Sequence, residues 1–155
     1  VKNKSKKKQK FPFWVKALIA FMVITASIPL INTLFSPKAT IEVIGNPRIM
    51  VDRDYFDYGN VKNGGTPIHT KIRVTNVGDK TLTFTEMPYL ELIEGCCPPI
   101  PSIGTLTLNP GESTFVNLSV FMHGDMGGRH EFIMHLVTND PLETDKTITL
   151  ISNWI

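Results

Sequence analysis

Nineteen consecutive residues without a charge, Ala17–Phe35 (ALIAFMVITASIPLINTLF), constrain this chain more than any other feature. As a helix, a run of that length spans roughly 28 Å, close to the ~30 Å hydrocarbon core of a bilayer. In lipid every backbone polar group must be paired internally, so a single apolar run of this kind is expected to be a helix. Phe11, Phe13 and Trp14 stand where an interfacial aromatic belt lies, and Lys16 can reach back to the headgroups. Pro29 falls inside the run, and helices in lipid tolerate proline.

The charge distribution orients that helix. Seven of the 16 basic residues (Lys2, Lys4, Lys6, Lys7, Lys8, Lys10, Lys16) precede residue 17, with no acid among them. The other nine face all 14 acids beyond Lys16, a net of −5. Lysines on one flank place that flank in the cytoplasm and the rest of the chain across the membrane. A cleaved signal peptide shares this layout, but Ala-x-Ala is absent and Thr25-Ala26-Ser27 is a weak substitute. No cysteine follows the run to carry a lipid anchor. The expected organisation is a basic cytoplasmic tail (1–10), a transmembrane helix (11–35), a linker (36–46) closed by Gly45-Asn46-Pro47, and an extracytoplasmic domain (47–155).

Within the outer domain the periodicity is two, not 3.6. Strands are expected over Arg48–Asp52, Tyr55–Tyr58, Ile68–Asn76, Thr81–Glu86, Tyr89–Glu94, Thr105–Leu108, Ser113–Met122, Arg129–Thr138 and Lys146–Trp154. Val116, Leu118, Val120 and Met122 fall on one face of their strand, Asn117 and Ser119 on the other. Asn109-Pro110-Gly111-Glu112 has proline at i+1 and glycine at i+2, the type II turn pattern. The fold class is therefore all-β, an immunoglobulin-like antiparallel β-sandwich preceded by one transmembrane helix. Such a domain can bury a core without disulfides.

Several of these segments carry a family likeness. Tyr58-Gly59-Asn60-Val61 with Gly64-Gly65, Val74-Thr75-Asn76-Val77-Gly78 with Leu82, Leu108-Asn109-Pro110-Gly111-Glu112 and Thr138-Asn139-Asp140-Pro141 resemble a Hydin-like immunoglobulin-fold domain. The likeness covers roughly residues 55–152 and is nearest to bacterial domains of unknown function that carry Cys-Gly-Cys. Here the cysteines are adjacent, which departs from that spacing. The resemblance implies a fold and almost nothing about activity.

Chemistry concentrates in two segments: Cys96-Cys97, and Met122-His123, Met126 and His130 around a Gly-rich turn. Thiolate, thioether and imidazole are soft and borderline donors that favour Cu(I), giving a candidate metal set of Cys96, Cys97, His123, Met126 and His130. Against this, Met122 and Met134 fit core positions of alternating strands. His69 and His135 read as surface residues. The adjacent cysteines can be free thiols, a vicinal disulfide or metal ligands, and their spacing matches no zinc signature. His130 and Met134 share a strand face, and His135 points the other way.

No G-x-S-x-G, H-E-x-x-H, P-loop or dinucleotide fingerprint occurs. Asp125 and Glu131 beside His123 and His130 suggest an acid–base set, and a Cys–His pair a nucleophile, but no orienting third group can be named. Net negative charge on the outer domain argues against nucleic acid. The expectation is a membrane-anchored, non-catalytic binding or structural module with a membrane or extracytoplasmic protein partner, requiring no cofactor. Sheet edges open to strand addition favour that reading. The alternative is an extracytoplasmic copper-binding protein, with a thiol–disulfide protein third.

Overall fold

The structure, a computed structural model, describes residues 38–155. The expected tail and transmembrane segment, and the first two residues of the expected linker, lie outside them. Among the described residues no helix is long and apolar enough to cross a membrane.

Ten strands follow one another with turns between them: β1 (Ile49–Val51), β2 (Tyr55–Val61), β3 (Ile68–Asn76), β4 (Leu82–Thr83), β5 (Tyr89–Glu94), β6 (Ser102–Ile103), β7 (Thr107–Leu108), β8 (Ser113–Val120), β9 (Gly128–Val137) and β10 (Asp145–Trp154). They form one sheet of order β1-β3-β8-β6, a second of order β2-β10-β9-β5, and a β4-β7 ribbon. The alternation read from the sequence is what lets these sheets face each other. Ile72, Val74, Val116, Leu118 and Val120 from the first sheet meet Phe132, Met134, Leu136, Ile148, Leu150 and Trp154 from the second in one buried cluster. This is an immunoglobulin-like sandwich.

One pairing departs from the antiparallel expectation. β2 runs parallel to β10, because the chain leaves the first sheet after β1 and crosses to the second within three residues. Gly59, expected to end that strand, lies inside it. Asp57 pairs with Ile151 and Asn60 with Asn153, so three residues on β2 cover two on β10 and the strand bulges there. The Asn109–Glu112 turn is as expected: Glu112 N donates to Asn109 O at 3.0 Å and Gly111 has φ 76°.

Each end of the sandwich has its own character. Asp140, 0 % exposed, sits at the end where β3 finishes and β8 begins. Its Oδ2 accepts from Ile49 N at 2.9 Å and Arg48 Nη1 at 3.3 Å, and its Oδ1 from Leu142 N at 2.9 Å. The chain also arrives at this end. Ala39 N donates to Gly111 O at 3.0 Å, Glu42 N and Val43 N to Val77 O at 2.7 and 3.2 Å, and Gly45 N to Asp79 Oδ1 at 2.7 Å. Much of the segment read as linker is therefore bonded to the domain. The opposite end, about 25 Å away at ~3.4 Å per residue along β8, holds the Met122–Gly128 turn and the turn after β5.

Candidate functional site

At that opposite end the sequence Glu94-Gly95-Cys96-Cys97-Pro98 folds back over the start of β9. The reversal begins with a register shift on β5, where Leu92 pairs with Phe132 but Glu94 with Glu131. An ion pair fixes the strand end, since Arg129 Nη1 lies 2.5 Å from Glu94 Oε2 and 2.7 Å from Glu131 Oε2. Gly95 follows with φ 93°, and a Cβ at that position would clash with the His130 ring, 2.4 Å from Cδ2. Only glycine allows the backbone to lie flat on the imidazole.

His130 itself is 1 % exposed. Its Nδ1 lies 3.1 Å from Gly128 O and its Nε2 3.7 Å from Cys96 Sγ. A carbonyl only accepts, so Nδ1 carries the hydrogen and Nε2 turns its lone pair toward the thiol. Cys97 is exposed and its Sγ lies 3.8 Å from Met126 Sδ. Met126 is half-buried against the core, and its N donates to His123 O at 3.3 Å within the turn. Neither cysteine is in a disulfide. A hydrogen bond with Cys97, and then burial, push the Cys96 thiol above its ordinary pKa, which disfavours a resting thiolate. Cys97 has φ 55°, a left-handed conformation uncommon for a residue with a side chain.

Of the five residues expected to form a metal set, four make contact in two pairs, His130 with Cys96 and Cys97 with Met126. His123 is placed differently, exposed and with its ring 5.9 Å from that of Phe121. Among the described residues no three or more His, Cys, Asp or Glu side chains already converge on a metal-sized space. Met122 and Met134 are wholly buried, in the core positions expected of them.

The other two histidines separate. His69 is exposed, as expected, and borders a cavity of about 380 Å³ on the outer face of the first sheet with Lys71, Asn117, Ser119 and Ile100. His135 is more engaged than a bare surface residue. It stacks on Tyr89 at 4.8 Å, with Nδ1 2.8 Å from Asp145 Oδ2 and Nε2 3.2 Å from Glu91 Oε2. Alternation put His135 on the outward face, but the partners come from the neighbouring strands and needed the register to be seen.

A scan against protein-family models finds no match, and neither does a search of the curated proteins. Solved structures do show similarity. A protein of unknown function from Porphyromonas gingivalis W83 matches with a TM-score of 0.51 and 15 % identity, over 74 % of this chain and 49 % of that one. The secreted serine protease VesC from Vibrio cholerae matches with a TM-score of 0.50 and 13 % identity, over 70 % of this chain and 23 % of that one. A PapD-like domain of human CEP192 matches with a TM-score of 0.49 and 10 % identity, over 78 % and 95 %. The likeness is one of fold. This chain spans about half the length of the Porphyromonas protein.

Proposed function

We propose that this chain is a tethered, non-catalytic immunoglobulin-like binding module that acts outside the cytoplasm as an accessory subunit of a membrane protein complex. The lysine-flanked apolar run at 17–35 supplies the anchor, with the tail in the cytoplasm. The family affinity suggested by the Tyr58–Val61, Val74–Gly78 and Thr138–Pro141 segments is with Hydin-like immunoglobulin-fold domains.

One observation carries the reading: the chain joins the domain beside Gly111, and the reactive side chains gather at the opposite end. Ala39 is thus bonded at one end of the domain and these side chains lie at the other. The full-length protein, solubilised in mild detergent, is expected to co-purify with a membrane complex, and a Cys96→Ser/Cys97→Ser variant to do so less. Migration as a lone monomer in every mild detergent would rule the reading out.

A further inference from the structure

The donors at the far end form two contacting pairs, carried by adjacent residues of one turn. His130 Nε2 lies 3.7 Å from Cys96 Sγ, Cys97 Sγ lies 3.8 Å from Met126 Sδ, and Cys96 and Cys97 are consecutive in the chain. With metal–sulfur and metal–nitrogen bonds of about 2.3 and 2.0 Å, the first separation subtends an angle of about 120° at an ion between them, and the second about 110°. Those are the angles of three- and four-coordinate ions. The imidazole is already set for coordination, because Gly128 O holds the hydrogen on Nδ1 and leaves Nε2 free.

Two further observations point to a built site. Cys97 holds a left-handed backbone conformation, and such strain concentrates where a side chain must be aimed. Gly95 is the one residue type that fits against the His130 ring, so the turn brings its cysteines to a buried imidazole. Two thiols, a thioether and an imidazole make a soft set. Zinc sites close with Cys, His or carboxylates, whereas a thioether beside thiolates selects Cu(I).

We infer that Cys96, Cys97, Met126 and His130 bind a single Cu(I) ion at the end of the sandwich opposite Gly111, and that His123 is not a ligand. This rests on the reading of that end as a binding site and names what it binds. Both thiols release their protons to solvent as two copper–sulfur bonds form. The copper arrives and remains as Cu(I), so no electron is transferred. Cys97 and Met126, exposed and half-buried, move together as one pair onto the ion held by Cys96 and His130.

The test is titration of the full-length, reduced protein in detergent with Cu(I) against a chromophoric chelator, without oxygen. One equivalent per chain is expected, with X-ray absorption showing a mainly sulfur shell and one nitrogen. The Cys96→Ser/Cys97→Ser variant should lose stoichiometric uptake. Met126→Leu should weaken it by about tenfold, and His123→Ala should leave it unchanged. Buried His130 variants can fail to fold, so the exposed Cys97→Ala and the half-buried Met126→Leu decide the matter. No uptake by the reduced chain, equal loss in His123→Ala and Met126→Leu, or a preference for Zn(II) would each overturn the site. Co-purification with a partner but no Cu(I) uptake removes the copper and leaves the binding module. Uptake of Cu(I) by a lone monomer does the reverse.

Discussion

At the scale of single residues, two carboxylate contacts do more than the sequence suggests. Asn139-Asp140-Pro141 reads as a chain breaker, yet the Asp140 side chain is a wholly buried anchor for the start of β1. Removing it strands Ile49 N and leaves the Arg48 guanidinium, only 29 % exposed, with Glu143 as its remaining partner at 3.5 Å. Breaking a buried pair from one side costs far more than an exposed pair is worth. Asp140→Ala should therefore lower stability by about 1–3 kcal/mol in urea unfolding, mainly through the unpaired Ile49 N–H. His135 gives a pH signature instead. Burial opposes its charged form, but hydrogen bonds to Asp145 and Glu91 outweigh this and raise its pKa above 6.5. A raised folded pKa means the contribution is complete below the unfolded value and fades as pH climbs through the folded one. Urea midpoints between about pH 5 and 8 should show that decline, and His135→Gln should flatten it.

At the scale of elements, legibility in the sequence followed burial. β3 and β8 each present one face to the core, so strict alternation marks them, and their ranges agree with the structure almost to the residue. β6 is two residues long and pairs only Ser102 with Asn117 and Ile103 with Val116, too short for any period to register. Gly59 reads as the end of β2 in the sequence, because a bulge and a turn share the same residue preference. The site was legible as chemistry but not as geometry. Cys96, Cys97, Met126 and His130 stand out by type. Their meeting depends on a register shift before Gly95 and on a backbone carbonyl at Gly128, neither of which has a sequence pattern. His123 stands out equally by type and lies instead beside Phe121. Register is also what Leu118 tests. It is 3 % exposed at the centre of β8, so Leu118→Ala should cost roughly 2–5 kcal/mol, while outward Ser119→Ala should stay within about 0.5 kcal/mol. Equal effects would mean that the two faces had been exchanged.

At the scale of the whole molecule, the segment before β1 has a mechanical consequence. Residues 39–45 are held to the domain by backbone hydrogen bonds at Gly111 and Val77 and by the Asp79 carboxylate, with no apolar core of their own. A pull applied at residue 38 meets these bonds one after another, as in opening a zipper, and not all at once as in shearing a sheet. Detaching them would free seven residues, a contour of at most about 24 Å at ~3.4 Å per residue, before any strain reached β1 and the Asp140 anchor. The leash is thus extensible, and it lengthens while both sheets keep their register.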